Sequence, residues 1–260
     1  MSQSNAVPQS NAMPQIEFRN LTLAYARHPA IHHLNATVAS GSLTAIVGPN
    51  GSGKSTLLKA IMGQLRPVEG ELRRRGFGPR DIGYLPQQAN MERDFPISVG
   101  DFLLSGLWRE LGAFAAPDRA QRARLQCALA QVGLQGFSRR QLGTLSGGQL
   151  QRLLFARLLL QDRPVVLLDE PFNAIDEKTA HDLLQLIALW HGEARTILVV
   201  THDLDQVRQH FPRTLLLARE LLAHGPTAAV LEPGNLLRAR RLCEAFDDKA
   251  RPCRRESEAA

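Results

Sequence analysis

The chain has 260 residues, of which 44% are hydrophobic and 22% are charged, with 31 basic and 25 acidic side chains. This length suits one substantial core with a smaller subdomain. No apolar run approaches the roughly 18 residues that span a bilayer, and the polar opening residues lack the apolar centre of a secretory signal. We therefore expect a soluble polypeptide that stays in the cytoplasm.

The surplus of positive charge comes mostly from arginine, with clusters at residues 73–75, 139–140 and 238–241. No aromatic residues are interleaved with these clusters, so we predict solvated or membrane-facing surfaces and no nucleic-acid partner. An odd number of cysteines without a CxxC pair argues against a disulfide framework and indicates reduced thiols. These cysteines are Cys127, Cys243 and Cys253.

The first part of the chain predicts a disordered segment followed by strands and a helix. Residues 1–15 are polar, contain proline and have no periodicity, which is typical of disorder. Alternating apolar positions over residues 16–43 indicate antiparallel strands. A short apolar run at residues 43–47 then predicts a strand, and a helix is expected from Gly53 onward.

The rest of the chain predicts an α/β core that is interrupted by helices. Residues 95–160 are rich in alanine, leucine, glutamine and arginine, which predicts an inserted helical subdomain at about 90–162. Strand-like runs at 165–168 and 197–200 flank a helical segment at 177–191, as in a parallel sheet. A hairpin at 215–222 and a short helix complete a single domain over 16–246, and a mobile polar tail follows at 247–260.

A glycine-rich loop lies between the strand at 43–47 and the helix after Gly53. Its glycines let backbone N–H groups point inward, and the helix directs its positive end at the same place. This pattern binds the phosphates of a nucleotide, as kinases, GTPases and motors all do. The nucleotide-binding residues predicted here are Gly48, Pro49, Asn50, Gly51, Ser52, Gly53, Lys54, Ser55 and Thr56. Lys54 is expected to reach the β- and γ-phosphates, and the Ser55 hydroxyl to ligate Mg²⁺.

Two adjacent carboxylates, Asp169 and Glu170, follow the apolar run at 165–168. Adjacent side chains of a strand point to opposite faces. We therefore expect the two acids to perform different tasks once the chain turns after Asp169.

The pentapeptide Leu-Ser-Gly-Gly-Gln at residues 145–149 precedes a helical stretch, and Ser146 is expected to cap that helix. With the phosphate-binding loop, this segment resembles the signature of the ATP-binding cassette (ABC) family. The resemblance implies an α/β fold: a P-loop ATPase core with an antiparallel β subdomain and an inserted helical subdomain. It also implies that Ser146, Gly147, Gly148 and Gln149 bind the nucleotide held by a second copy of the chain.

The same resemblance implies further roles in the hydrolysis of MgATP. Asp169 would hold Mg²⁺, Glu170 would polarise the attacking water, and Gln87 would contact Mg²⁺ or that water. His202, after the run at 197–200, would contact the γ-phosphate. Asp176 would serve communication between subunits in a loop that begins with Asn173, where serine is commoner, and Tyr25 would stack on adenine.

The stretch at residues 83–99 resembles ATP-binding subunits of zinc and manganese importers, where this segment helps to form the groove for the membrane subunit. The resemblance implies two copies head to tail on the inner membrane face, a transmembrane permease, and indirectly an extracytoplasmic substrate-binding protein. An iron-chelate importer, another importer and a cytosolic non-transport ABC ATPase stay open as alternatives. The resemblance implies that the transported metal never touches this chain. Neither His28, His32 and His33 nor the cysteines have metal-site spacing.

Overall fold

The computed structural model describes residues 15–25, 28–87, 96–111 and 116–244. The predicted tail at 247–260 and all but the last residue of the predicted disordered segment lie outside these ranges. Gln15 itself is the first residue of a strand. The first strand therefore begins one residue before the boundary that we expected for the folded domain.

Nine strands form two sheets within the described residues. They are β1 (Gln15–Tyr25), β2 (His28–Val38), β3 (Leu43–Val47), β4 (Glu69–Arg75), β5 (Ile82–Leu85), β6 (Val165–Asp169), β7 (Thr196–Val200), β8 (Arg213–Leu217) and β9 (Leu221–Pro226). The smaller sheet is antiparallel, in the order β2-β1-β4. The predicted hairpin is present as β8 and β9, and it is longer than residues 215–222 at both ends.

The helices lie between and after these strands. They are α1 (Lys54–Ile61), α2 (Val99–Ser105), α3 (Trp108–Leu111), α4 (Arg119–Gln131), α5 (Gly147–Gln161), α6 (Glu177–Gly192), α7 (Leu204–His210), α8 (Thr227–Val230) and α9 (Pro233–Glu244). Four of them, α2 to α5, fill the insertion between β5 and β6, as the composition of that region predicts. No helix among the described residues has the length and apolar character that crossing a bilayer requires.

The larger sheet has the order β5-β6-β7-β3-β8-β9. Its first five strands are parallel, and β9 joins β8 antiparallel. Because β6, β7 and β3 are neighbours, their carboxyl ends meet at one edge of the sheet. Ligands bind at this edge in open α/β sheets. The phosphate-binding loop, the two carboxylates and His202 all lie at or just after the carboxyl ends of these three strands.

Two hydrophobic cores cover the two faces of the larger sheet. In β3, Ala45 and Val47 face the core that contains α5 and α6, whereas Ile46 faces the core shared with α1 and the smaller sheet. Strands that are buried on both faces read as continuous apolar runs, which explains the unbroken runs in the sequence. On the helical side, the rings of Phe155 and Trp190 stack at 5.8 Å between centroids and join α5 to α6.

The cluster at residues 73–75 is not simply a solvated or membrane-facing surface, because it forms the end of β4. β4 pairs with β1 at the edge of the smaller sheet. Arg74 donates from Nε to the carbonyl oxygen of Ile61 at 2.6 Å and from Nη2 to that of Ala60 at 2.7 Å. Partial burial lowers the pKa of Arg74. This arginine therefore caps the carboxyl end of α1, whose last carbonyls lack partners within the helix.

Candidate functional site

The phosphate-binding loop joins β3 to α1 and requires glycine at the start of the helix. Gly53 caps α1 with φ of 97°, in the left-handed region that disfavours side chains. A Cβ atom on Gly53 would lie 2.5 Å from Cγ1 of Ile31 and 2.7 Å from the carbonyl oxygen of Ala30. The loop therefore approaches β2 so closely that only glycine fits. Its backbone stays free to wrap an anion at the amino end of α1.

Lys54 is folded back over this loop. Its side chain is buried, and Nζ donates to the carbonyl oxygens of Gly48 and Pro49, each at 2.9 Å. The ammonium group therefore lies where the loop would surround a phosphate. A cleft of about 400 Å³ opens here. Its lining consists of Ala30, loop residues 50–56, Gln87 and Glu170.

Asp169, the last residue of β6, is a buried acid with an unused oxygen. Its side chain is only 2% exposed, and Oδ1 accepts no hydrogen bond within the described residues. Burial raises the pKa of Asp169, and the charge of Glu170 raises it further. Hydrogen bonds from Ser55 and Tyr84 and the charge of Lys54 oppose this rise. The arrangement places an acidic oxygen beside a hydroxyl group, which is a donor set suited to a hard cation.

Glu170 begins a sharp turn immediately after β6. Its φ of 49° is left-handed, and its backbone N–H donates to the carbonyl oxygen of Val200 at 2.9 Å. Asp169 is buried, whereas Glu170 lines two of the clefts at this edge of the sheet. The different tasks that we expect of the two acids stay a prediction. Oε2 of Glu170 accepts a hydrogen bond of 2.8 Å from Nε2 of Gln87 and one of 3.3 Å from Nδ2 of Asn173.

His202 lies at the carboxyl end of β7, between two clefts. One, of about 550 Å³, is shared with Gly48, Pro49 and Asn50 of the loop and with α9. The other, of about 390 Å³, is shared with Glu170 and the residues that follow it. The imidazole thus borders both the cleft of the loop and the cleft of the carboxylate. Its contact with a γ-phosphate stays a prediction.

The pentapeptide at 145–149 forms the capped start of α5, as the sequence predicts. Oγ of Ser146 accepts from the backbone N–H of Gln149 at 3.3 Å, and Oε1 of Gln149 accepts from the N–H of Ser146 at 3.0 Å. This reciprocal pair is a capping box. All five residues are described, and none of them lines the three clefts around the loop, Glu170 and His202.

The sequence profile of the ABC transporter family matches residues 31–173, a stretch that runs from β2 through the loop and the pentapeptide to Asn173. This chain belongs to the ABC transporter family. It carries the ATP-binding domain of that family, which is an ATPase. The α/β fold with its antiparallel sheet and helices, which the resemblance implied, is that of ABC ATPase cassettes.

Individual ABC proteins match over most of the chain. It is 39% identical to the zinc transport system ATP-binding protein TroB of Treponema pallidum over 86% of each chain. It is 40% identical to the manganese transport system ATP-binding protein MntB of Listeria monocytogenes, over 81% of this chain and 90% of MntB. The dimeric ABC ATP-binding cassette MJ0796, solved in a post-hydrolysis state with ADP and Pi, superposes with a TM-score of 0.71 at 29% identity. That match covers 82% of this chain and 98% of MJ0796.

Most predicted site residues of the ABC domain meet at one edge of the sheet. Gln87, Glu170 and the loop residues from 50 to 56 share one cleft, and Asp169 borders Ser55. Gly48, Pro49 and His202 share the adjoining cleft. The structure does not bring the residues at 146–149 to this edge. Their assignment to a nucleotide therefore depends on a second copy of the chain.

Two further predicted residues have partners of their own. Tyr25 is 46% exposed at the end of β1, and Nζ of Lys59 lies 5.7 Å from its ring centroid. Asp176 caps α6 and accepts from the backbone N–H and the hydroxyl of Thr179, each at 2.8 Å. The backbone hydrogen bond from Thr179 lowers the pKa of Asp176. Both assigned roles, adenine stacking and communication, stay predictions.

The sequence analysis predicted no contact with the acids for two side chains, Tyr84 and Asn173. Tyr84 in β5 hydrogen-bonds to Asp169, and burial beside that carboxylate raises the pKa of Tyr84 to about 12. Asn173 donates to Glu170. The only signal for Tyr84 was its place in the strand just before Gln87. The sequence shows that Asn173 replaces the commoner serine, but it does not show which atom the amide contacts.

Proposed function

We propose that the chain is the ATP-binding and hydrolysing subunit of an ABC importer that takes up zinc or manganese through a separate membrane permease. One observation carries the choice of cargo: relatives that are 39% and 40% identical over more than four fifths of this chain are zinc and manganese transport ATP-binding proteins. The metal is cargo of the permease, and this chain supplies the energy of hydrolysis.

In this proposal the loop at residues 48–56 holds the phosphates of ATP. Backbone N–H groups and the amino end of α1 face the phosphate oxygens. The ammonium group of Lys54 now donates to two loop carbonyls, and it exchanges them for β- and γ-phosphate oxygens when ATP enters. Tyr25, exposed at the end of β1, stacks on the adenine ring.

The donor set around Asp169 fits the Mg²⁺ that accompanies ATP. Its buried Oδ1 has no hydrogen-bond partner among the described residues, and the Ser55 hydroxyl bonds to the same carboxylate. Mg²⁺ prefers such oxygen ligands, together with water and phosphate. Ser55, Asp169 and Gln87 would hold the ion, which would neutralise charge on the phosphates.

Glu170, Gln87 and His202 act on the reacting groups. Glu170 orients and deprotonates the attacking water, and Gln87 fixes the carboxylate by the hydrogen bond to Oε2. His202, at the border of the two clefts, stabilises charge on the γ-phosphate. Positioning and electrostatic stabilisation supply most of the catalysis in phosphoryl transfer.

Two copies of the chain assemble head to tail in this proposal. The pentapeptide at 145–149 lines none of the three clefts described above. In a head-to-tail pair, the amino end of α5 with Ser146, Gly147, Gly148 and Gln149 faces the γ-phosphate held by the partner's loop. MgATP favours the closed pair, and hydrolysis releases it, so that the permease alternates between two conformations.

The other partners are a permease in the membrane and, on its outer side, a substrate-binding protein. We infer that the chain is cytoplasmic and attaches to the inner membrane face through the permease. The segment at 83–99, which resembles the permease groove of metal importers, runs from β5 to the start of α2. Residues 88–95 of this segment lie outside the described residues.

The experiment that tests this proposal is a transport ATPase assay. The chain is copurified with its permease, reconstituted in nanodiscs, and supplied with the binding protein loaded with Zn²⁺, Mn²⁺ or a ferric chelate. We expect ATPase stimulation by the zinc-loaded or manganese-loaded protein above the metal-free control. Stimulation by the ferric chelate alone would contradict the proposal that the cargo is zinc or manganese, and it would agree with the proposed role as the ATPase subunit. No ATP hydrolysis in any arm would contradict both.

A further inference from the structure

The turn after β6 contains Asn173, whose side chain is an amide at a position where serine is commoner. Asn173 is exposed, and its backbone N–H donates to the carbonyl oxygen of Glu170 at 3.2 Å, which closes the turn. Its side-chain Nδ2 reaches back to Oε2 of Glu170 at 3.3 Å. Gln87 donates to the same oxygen at 2.8 Å. Two amides from separate segments therefore converge on one carboxylate oxygen.

The chemistry of these groups fixes their orientation. An ionised carboxylate only accepts hydrogen bonds, so both amides must present their NH₂ groups to Oε2. Hydrogen bonds to a charged group are stronger and shorter than neutral ones. No hydrogen bond reaches Oε1 of Glu170 within the part of the chain that the structure describes. The pair of amides thus occupies one oxygen and leaves the other without a hydrogen bond from the described residues. Glu170 itself lines the cleft that contains Lys54 and Ser55.

We propose that Asn173 is a positioning residue for hydrolysis, which with Gln87 holds Oε2 of Glu170 so that Oε1 receives the attacking water. In that step the water oxygen bonds to the γ-phosphorus, and the bond from this phosphorus to the β–γ bridging oxygen breaks. The departing proton passes to Oε1 and then to phosphate or solvent, so that ADP and inorganic phosphate result. The inference rests on the proposed role of Glu170 as the base.

The turn alone does not explain an asparagine at this position. Asparagine, aspartate and serine all favour turns, and each keeps the backbone N–H that bonds to Glu170. Aspartate has the same shape as asparagine, but it cannot donate and would add a negative charge beside Glu170. Serine is too short to span the same gap. The Asn173→Asp variant therefore distinguishes a role that depends on the amide from a role in the turn alone.

The test compares Asn173→Asp and Asn173→Ser with wild type in steady-state ATPase assays. We expect kcat to fall about ten-fold in the aspartate variant and less in the serine variant. Both variants lose the charge-assisted hydrogen bond from the amide to Glu170, and aspartate also adds a negative charge beside it. KM for MgATP should stay within about two-fold, because the carboxylate acts on the water and not on substrate binding. Gln185→Ser, which removes an exposed amide bonded to His181, is the matched control and should keep wild-type kcat.

A second measurement separates positioning from a role at the subunit interface. In the Glu170→Gln background, ATP-driven dimerisation is measured with and without Asn173→Asp. We expect equal dimerisation, because the amide acts only through the carboxylate. A wild-type kcat in Asn173→Asp, or weaker dimerisation in the double variant, would overturn the inference. Wild-type turnover in Glu170→Gln would instead overturn the proposed base. Thermal melting confirms that each variant folds.

Discussion

Gln151 in α5 donates a hydrogen bond of 2.6 Å from Nε2 to the carbonyl oxygen of Pro171, the residue that follows Glu170. The next residue of the helix, Arg152, donates to Oδ2 of Asp182 in α6 at 2.7 Å. In the proposed dimer, the start of α5 faces the partner's nucleotide and Glu170 faces its own. In that pair, the hydrogen bond from Gln151 to Pro171 would connect the turn beside Glu170 to the helix that faces the partner's nucleotide.

Glu170→Gln should separate binding from turnover. Glutamine keeps the size of the side chain and cannot take a proton from water, so hydrolysis stops while the loop and Lys54 still hold ATP. We expect nucleotide binding within about two-fold of wild type, no steady-state hydrolysis, and a stable dimer in ATP. Filter binding, phosphate release and size-exclusion chromatography measure the three quantities. Continued hydrolysis would refute the base role.

Alanine substitutions in the loop should differ according to the space around each glycine. A Cβ on Gly53 meets Ile31 and the carbonyl of Ala30, whereas none of the described atoms lies within 4 Å of a Cβ on Gly51. Both glycines have positive φ. We therefore expect Gly53→Ala to lower the free energy of unfolding by about 2 kcal/mol or more and Gly51→Ala by about 1 kcal/mol. Urea unfolding of the nucleotide-free protein measures both, and equal losses would contradict the close approach to β2.

Asp169→Asn should stabilise the nucleotide-free protein while it abolishes activity. Burial raises the pKa of Asp169 above its ordinary value of 3.8, so the charged form costs free energy in the fold. The neutral amide removes that cost, and we expect Tm to rise by about 2–4 °C at neutral pH. ATPase activity should be lost with the Mg²⁺ ligand.

The sign of the pH dependence follows from the raised pKa. In the wild type, the carboxyl group of Asp169 contributes most to the free energy of unfolding below pH 3.8, the pKa expected in the unfolded chain. This contribution is lost as the pH rises through the raised pKa of the folded state. The advantage of Asp169→Asn should therefore shrink toward pH 4, as melting curves over this pH range would measure. Asp182→Asn is the control, because Asp182 is paired with Arg152 and its loss should lower Tm. A destabilised Asp169→Asn protein would contradict the free-energy cost that we assign to burying this charge.

Tyr25→Ala should weaken ATP binding if the ring stacks on adenine. The ring is exposed and lies against the ammonium group of Lys59. Base–aromatic stacking is worth about 1–3 kcal/mol, so we expect Kd for ATP to rise at least five-fold. Tyr25→Phe keeps the ring and should bind as wild type. Isothermal titration calorimetry measures both affinities. An unchanged Kd in Tyr25→Ala would contradict stacking on adenine and leave the ring only its contact with Lys59.

Strands and loops with strong local patterns were predictable from the sequence. The strand at 43–47 has the predicted bounds, because a doubly buried strand is an unbroken apolar run. β4 was not predicted. It carries three arginines and its side chains are at most partly buried, since it pairs with β1 at the edge of the smaller sheet. One role of β4 is to hold Arg74 against the end of α1, and only the tertiary structure reveals this contact.

The candidate site was predictable by residue type but not by contact. The loop motif and the family resemblance predicted Lys54, Asp169 and Glu170, which all lie at the carboxyl ends of strands at the same edge. The hydrogen bonds of Asn173 to Glu170 and of Gln151 to Pro171 depend on how loops fold after the strands. A hydrogen bond that a side chain makes across a turn leaves no periodic pattern in the sequence. These partners could therefore be found only in the structure.

Complementation between two inactive variants tests most directly whether the chain is half of a two-site ATPase. Lys54→Ala disables the loop. Gly147→Asp places a negative charge at the start of α5, where a Cβ would have no described neighbour within 4 Å, so the fold is kept. Each variant alone should be inactive, and their mixture should regain ATPase activity because one site then combines an intact loop with an intact α5. A mixture that forms mixed dimers yet stays inactive, or full activity of Gly147→Asp alone, would contradict the account.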